Sequence, residues 1–315
     1  MRIIFCNIAY MKNYCGGDDD TPVNGGKYIA ENNDGGEVWN FLNYDGKCYG
    51  YFMYYGDMVH IERIENTTAE DDTAEDVLVV WVAKPKNKSS VIVGWYRHAD
   101  VYRFQHHIDD IYYSVVADVE NCHLLPESKR DFVIPRAQKS GAGMGMGQSA
   151  IWYADSEYAK KEFVPKVFEY IKNYEKNDGE FINKVWLDDE LNKKYDGNKS
   201  DDELLQLAKS PDTPSEKALL YINASLEYGE TPEKLFIKAD VLWELLQFTR
   251  AVPYYEKAYS LDNSDFELLA KLFEVYAFTE QTEKAVKTGE ILEKSEYFAE
   301  ISYDDKVIFY NAMGI

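Results

Sequence analysis

The chain has 315 residues, a length typical of two domains. Hydrophobic residues make up 45% of it and aromatic residues 15%, which excludes disorder over most of its length because a sizeable core can form. With 34 basic and 56 acidic residues, the formal net charge is −22. This excess excludes binding to DNA, RNA or an anionic membrane by overall charge alone, so a bound nucleic acid would need a local basic patch.

The compartment is predicted from the first residues, the hydropathy and the cysteines. The start lacks a long apolar stretch with a small-residue cleavage site, and no run of about 18 apolar residues predicts a membrane span. Four scattered cysteines, without paired spacing, predict free thiols in a cytoplasmic protein. The adjacent His106 and His107 would point to opposite faces of a strand, so we expect neither a metal site nor a cofactor.

The first 155 residues or so contain short β-branched and aromatic runs that indicate strands. Residues 76–83 and 91–96 flank the polar turn 84–90, which predicts a hairpin. Residues 49–55 and 58–64 flank a Gly56-Asp57 turn and predict a second hairpin. Further strands are expected over residues 2–8, 101–105 and 112–116. Many short strands with few helices favour a barrel or a strongly curved sheet with added helices.

After residue 155 the hydrophobic period changes to that of helices. Residues 159–174 place their apolar side chains on one face of an amphipathic helix, and residues 181–194 predict another. The polar stretch 195–200 predicts a linker at which the chain separates. The pattern therefore predicts three segments: a β-rich ligand-reading domain over 1–178, a helix and linker over 179–200, and a helical repeat domain over 201–315.

The last segment repeats with a period of 34 residues, which aligns Ala251 with Ala285. Small Ala251, bulky Tyr255 and small Ala258 recur at the offsets of tetratricopeptide repeats, which the segment resembles. The resemblance implies an all-α solenoid with a concave surface that binds a protein partner. The helix pairs are expected over 202–228, 232–265 and 266–299, with a capping helix over 303–313.

Two segments of the first half have the composition of a recognition site. Residues 93–103 combine Trp, Tyr and Arg, and residues 134–155 carry a glycine-rich loop that matches no phosphate-binding motif and is predicted to form a lid or wall. Residues 84–103 also hold five basic side chains and one acidic, a local basic patch. Aromatic faces stack on bases and guanidinium groups bind phosphates or base edges, although aromatic residues in a β-sheet are commonly core. The predicted ligand-binding residues are Asn7, Trp95, Tyr96, Arg97, Tyr102, Arg103, Gln148, Ser149 and Trp152.

The alternation of side chains along a strand limits this predicted pocket. Trp95 and Arg97 would share one face and Tyr96 would point to the other, unless a bulge at Gly94 relaxes the rule. Asn7 joins the set because a polar residue late in an apolar strand needs a hydrogen-bond partner if it is buried.

Four stretches of the first half resemble the N-terminal domain of certain bacterial proteins, in some of which it sits beside an HNH nuclease or another restriction-type effector. They are IIFCNIAYM (3–11), DVLVVWVA (76–83), VIVGWYRHADVYR (91–103) and the GxGQSxxWYAD pattern of residues 145–155. The domain is similar to PUA/EVE-like barrels, which read modified bases. The resemblance covers residues 1–175 and implies an α+β chain that begins with a PUA/EVE-like curved β-barrel with flanking helices.

The sequence leaves three functions open. The first is a non-catalytic sensor or adaptor of bacterial defence against foreign DNA, which binds a modified DNA or RNA base in the barrel and a protein partner on the repeats. The second is a protein-interaction scaffold without a nucleic-acid ligand. The third is an enzyme, such as a glycosylase or nuclease with a diffuse active site. No paired carboxylates, reactive cysteine or HNH motif supports the third, so no catalytic residue is assigned.

Overall fold

The computed structural model describes residues 2–16, 20–23, 36–54, 56, 58–177, 179–300 and 302–313. The chain divides into two compact units, Met1–Val185 and Trp186–Ile315. The first unit is built on a β-sheet and the second is helical, so the chain is α+β, as predicted.

Seven strands form the sheet of the first unit: β1 (Ile3–Ile8), β2 (Lys47–Gly50), β3 (Thr73–Ala83), β4 (Val91–Ile108), β5 (Ile111–Asp118), β6 (Cys122–Leu124) and β7 (Ile151–Trp152). Their order is β2-β5-β4-β3-β1-β7, and β6 pairs with β4. Strands β1 and β3 are parallel, whereas the other pairs are antiparallel. Among the described residues the sheet is open, with β2 and β7 at its two ends, and the expected closure into a barrel is not seen there.

The hairpin predicted around the turn 84–90 is confirmed, since β3 and β4 pair antiparallel on either side of it. The long strand β4 runs through both predicted strands, 91–96 and 101–105, without a break. Its first part, residues 91–96, is buried on both faces, whereas residues 104–107 near its end are exposed.

The second predicted hairpin is wrong over its described residues, and Asp57 of its turn lies outside them. Residues 58–64 contain a 3₁₀ helix, Ile61–Arg63, in place of a strand. The Val59 N–H donates to the carbonyl of Arg103 (2.7 Å), and the His60 N–H donates to the hydroxyl of Tyr153 (2.9 Å). These backbone donors therefore find partners outside a strand pair.

The two faces of the sheet carry separate cores. Val79, Trp81 and Tyr96 belong to a cluster that includes apolar residues of the N-terminal loops. Val80 and Trp95 belong to a second cluster that includes residues of helix α2 (Val164–Lys176) and of the π-helix Ala159–Phe163 that precedes it. The helix predicted over residues 159–174 is thereby confirmed, as is the prediction that Trp95 and Tyr96 point to opposite faces. A short helix, α1 (Ala137–Ser140), lies in the glycine-rich segment.

The helices of the second unit are α3 (Asp188–Leu191), α4 (Asp201–Lys209), α5 (Ser215–Leu226), α6 (Pro232–Glu244), α7 (Phe248–Leu261), α8 (Phe266–Phe278), α9 (Thr282–Leu292), α10 (Glu296–Glu300) and α11 (Tyr303–Met313). From α4 to α9, each helix packs against the next in the chain, and α11 packs against α9. Side-chain caps mark several helix starts. In α4, for example, Ser200 and Glu203 form a capping box.

The helix predicted over residues 181–194 is wrong apart from the four residues of α3. The Ile182 N–H donates to the Leu124 carbonyl (3.0 Å), and the Asn183 side chain bonds the backbone of β6 at both Cys122 and Leu124. Contacts with the sheet replace the local hydrogen bonds that a helix would make.

The 34-residue period agrees with the helix boundaries, because α6 and α8 begin 34 residues apart and so do α7 and α9. Ala251, Tyr255 and Ala258 are all buried in the helical core, as their small–bulky–small pattern predicted. In the second repeat, Gly289 stands 34 residues after Tyr255, in place of a bulky residue, and this difference has a packing reason. A Cβ atom there would lie 2.3 Å from the sulfur of Met313 in α11, so glycine lets the last helix approach.

Candidate functional site

Trp95 and Trp152, the central aromatic residues of the predicted pocket, lie in the core that contains helix α2. Trp95 is fully buried and its ring meets that of Tyr174 edge-on, with centroids 5.9 Å apart. Trp152 is 7% exposed and packs on Phe5, with centroids 4.9 Å apart. Both rings are occupied by protein neighbours, so neither presents a free face to a planar ligand.

Arg97 shares the face of Trp95 and is bound to the same carboxylate. Glu175 of α2 accepts two hydrogen bonds from the Arg97 guanidinium (2.7 Å each) and one from the Trp95 indole N–H (3.0 Å). His123 lies at the edge of this group, 3.9 Å from Glu175, and burial lowers the pKa of its imidazole although Glu175 opposes this. These hydrogen bonds link α2 to β4. They also use the pair of Arg97 N–H groups that could otherwise bind a phosphate.

Tyr96 is buried on the opposite face, beside Trp81 and Phe41. Its hydroxyl has no hydrogen-bond partner among the described residues, and burial raises the pKa of the phenol well above its ordinary value. Asn7 is half-buried, and its backbone N–H donates to the Ala150 carbonyl (2.7 Å). Tyr96 therefore does not join Trp95 in one site.

Arg103, the second predicted guanidinium, is buried and bound within the first unit. It donates to the Glu62 carboxylate (2.8 Å) and to the carbonyls of Asp71 and Thr68. Although desolvation acts in the other direction, the hydrogen bonds from Arg103, the backbone and His60 lower the pKa of Glu62 to about 2. Both arginines of the local basic patch are therefore already paired, Arg97 with Glu175 and Arg103 with Glu62.

Tyr102, Gln148 and Ser149 lie nearer the surface. Tyr102 is half-buried and its ring lies 4.5 Å from that of His106. Gln148 and Ser149 are exposed, and the Ser149 hydroxyl accepts from the Ile151 N–H at 3.2 Å. The nine predicted residues are thus distributed over two cores and the surface, and none of them lines either of the two cavities described below.

The glycines that precede Gln148 are required by the backbone geometry of their loop. Gly141 and Gly143 adopt left-handed backbone angles, with φ of 105° and 75°. A Cβ atom at Gly145 would lie 2.3 Å from the carbonyl oxygen of Pro135, so only glycine allows that approach. The backbone geometry of the loop therefore accounts for the presence of these glycines, and no bound ligand is needed to explain them.

Glu37 is a buried carboxyl group of the first unit whose titration is strongly perturbed. It is 5% exposed, and this burial raises the pKa of Glu37 from 4.5 to about 7. The folded state thus holds the Glu37 proton more tightly than the unfolded chain does. Its contribution to stability is complete below pH 4.5 and is lost as the pH rises through 7.

We expect Glu37→Gln to remove this pH dependence, because the amide cannot ionise. At pH 8 the variant should be more stable than the wild type by about 1–3 kcal/mol, and at pH 5 the difference should be much smaller. Urea unfolding at both pH values measures this. Glu120→Gln, on the exposed surface, is the matched control. Equal shifts for the two variants at pH 8 would rule out the buried-carboxyl explanation.

A cavity of the helical unit was not predicted from the sequence. It is an open groove of about 900 Å³ lined by the end of α4, the loop 210–214, the start of α5 and one face of α6. Phe236, Ile237 and Val241 give it an apolar part. Its charged lining residues are Lys209, Asp212, Glu233, Asp240 and Glu244. Four carboxylates against one ammonium make the groove acidic.

Internal contacts hold some of these carboxylates in place. Lys209 pairs with Glu233 (2.7 Å), Ser215 donates to Glu244 (2.8 Å), and Tyr255 donates to Asp240 (2.5 Å). Burial raises the pKa of Asp240, and the neighbouring Glu244 adds to this, against the Tyr255 hydrogen bond. The single cation of the groove is thus already paired, so additional positive charge would be favourable there.

A second, smaller cavity of about 230 Å³ lies in the first unit, between the start of β1, the 3₁₀ helix Ile61–Arg63 and the residues that follow β7. Its polar lining side chains are those of Arg63, Glu65, Tyr153, Asp155 and Lys160. None of the five was predicted from the sequence to bind a ligand.

Comparison with protein-family models gives no match for this sequence, and comparison with curated proteins gives no significant match. Within the described residues, no group of three or more His, Cys, Asp and Glu side chains is placed to hold a metal ion. No helix in the same part of the chain has the length and apolar character needed to cross a membrane.

Proposed function

We propose that this protein is a non-catalytic adaptor whose helical unit binds a basic segment of a partner protein. The observation that carries the proposal is the acidic groove of α4, α5 and α6, with a volume of about 900 Å³. Its apolar part offers contacts to aliphatic side chains, and its carboxylates offer ion pairs to lysine or arginine.

The arrangement of the helices supports an elongated ligand. Helix pairs that recur every 34 residues are typical of a tetratricopeptide-like solenoid, in which neighbouring pairs build a continuous concave surface. Glu233, Asp240 and Glu244 lie on one face of α6 because they are spaced by seven and four residues. A peptide that lies along α6 could meet all three carboxylates.

Base reading by a PUA/EVE-like first unit stays a prediction that rests on the resemblance alone. The buried Trp95 and Trp152 and the paired Arg97 and Arg103 favour the interaction function over it. A role in bacterial defence likewise depends on that resemblance.

We expect Glu244→Lys to weaken the binding of a basic peptide by about tenfold, because it places a like charge in the groove. The probe is a labelled short peptide of alternating lysine and leucine, titrated into the full chain by fluorescence anisotropy. Glu290→Lys is the matched control, since Glu290 is an exposed residue of α9 that lines no part of the groove and gives the same change in net charge.

The comparison of the two variants decides the proposal. A loss of affinity at Glu244→Lys with near wild-type affinity at Glu290→Lys supports a site in the groove. Equal losses would show that the peptide responds only to the net charge of −22 and would contradict the proposal.

A further inference from the structure

The small cavity of the first unit has an apolar floor and a charged rim. Ile3, Ile64 and Val164 line it from β1, the segment after the 3₁₀ helix and the start of α2. Its volume of about 230 Å³ is that of about eight water molecules at about 30 Å³ each. It therefore fits a small metabolite and is too small for a nucleotide or a peptide.

The wall after β7 is held in a defined geometry. The Tyr153 hydroxyl accepts the His60 N–H at 2.9 Å, and the Arg63 guanidinium lies 4.2 Å from the centre of the Tyr153 ring. Between Tyr153 and Asp155, Ala154 adopts a left-handed backbone angle, φ 48°. Such strain in a residue other than glycine persists where the surroundings fix it, and it is common at ligand sites. The π-helix that carries Lys160 is also a feature that is frequent at functional sites.

The charged groups of the rim are incompletely paired. Arg63 donates through Nε and Nη2 to the same oxygen of Asp155, Oδ2, at 3.0 and 2.6 Å. The other oxygen of Asp155 accepts no hydrogen bond from a described residue, and Lys160 forms no ion pair within the described chain. The cavity thus presents one open carboxylate oxygen and one open ammonium group.

We propose that this cavity binds a small apolar α-amino acid. Lys160 takes the ligand carboxylate, Asp155 takes its ammonium group, and the ligand side chain covers the apolar floor of Ile3, Ile64 and Val164. The lining supports a zwitterion over an anion, because Arg63 and Lys160 balance Glu65 and Asp155 to a net charge of zero. A phosphate dianion would meet two carboxylates and is disfavoured.

Isothermal titration calorimetry of L-leucine into the full chain tests the proposal. Two analogues test the two charged groups of leucine separately: 4-methylpentanoate lacks the amino group, and 3-methylbutylamine lacks the carboxylate. We expect leucine to bind, and each analogue to bind about tenfold more weakly, since each leaves one charged group of the cavity unpaired. An analogue that binds as tightly as leucine overturns the zwitterion assignment.

The matched variants are Lys160→Met and Lys161→Met. Lys161 lies next in the chain, pairs with Glu157 at the surface (2.7 Å) and does not line the cavity. Lys160→Met should weaken leucine binding by about tenfold, and Lys161→Met should leave it within about twofold. Thermal melting confirms that both variants are folded, as their exposed positions predict. Absence of leucine binding to the wild type, or equal binding by the two variants, overturns the proposal.

Discussion

Trp95→Ala is expected to destabilise the first unit by about 3–5 kcal/mol, the usual cost of removing a large aromatic side chain from a core. The indole is fully buried between the sheet and α2, so the substitution opens a cavity against Tyr174 and Phe181. It also removes one of the three hydrogen bonds that Glu175 accepts. Urea unfolding of the full chain, followed by near-UV circular dichroism, measures the change.

Trp95→Phe separates packing from the hydrogen bond. It keeps an aromatic ring in the core but cannot donate to Glu175, so a smaller loss of about 1–2 kcal/mol is expected. A Trp95→Ala protein that is as stable as the wild type and has lost a ligand would restore the predicted binding role of this residue.

Arg130→Met should destabilise the first unit by about 3–5 kcal/mol. Arg130 is buried, and its guanidinium donates to three backbone carbonyls, those of Leu125 (2.9 Å), Met11 (2.5 Å) and Lys12 (2.6 Å). Methionine keeps much of the side-chain volume but leaves these carbonyls without their donor, at a cost of about 1–3 kcal/mol for each group that stays dry.

The matched control for Arg130→Met is Lys129→Met, since Lys129 is exposed and adjacent in the chain. Its effect should stay within about 0.5 kcal/mol. The loop of residues 9–14 should also become more sensitive to proteolysis in the Arg130 variant, because two of the lost bonds hold it. Similar unfolding curves for the two variants would show that the carbonyls find water instead.

The elements predicted correctly are those whose sequence signal lies within the element itself or in its immediate neighbours. Residues 84–90 are a polar turn between two apolar runs, and the 34-residue spacing gives the helix pairs of the second unit. The wrong predictions concern segments whose conformation is set by hydrogen bonds to residues far along the chain. Residues 58–64 read as a strand, yet their backbone donors bond to Arg103 and Tyr153, which lie far along the chain.

The contacts of the predicted site residues also depend on distant partners. Trp95 and Arg97 have the composition of a recognition site, but Glu175, the group that neutralises both, is about 80 residues away in a helix. The groove beside α6 could have been anticipated in part, because Glu233, Asp240 and Glu244 share one helical face. Nothing in the sequence brings residues 210–214 to that face, so its volume could not be predicted.

Hydrogen–deuterium exchange of the full chain, with and without the basic peptide, shows directly whether the peptide binds in the groove of the helical unit. A site in the groove predicts that protection on binding falls on residues 208–218 and 233–244. The same experiment with a modified oligonucleotide should leave residues 93–103 unchanged. Protection of residues 93–103 by the oligonucleotide, with none in the helical unit by the peptide, would contradict the adaptor function and support base reading.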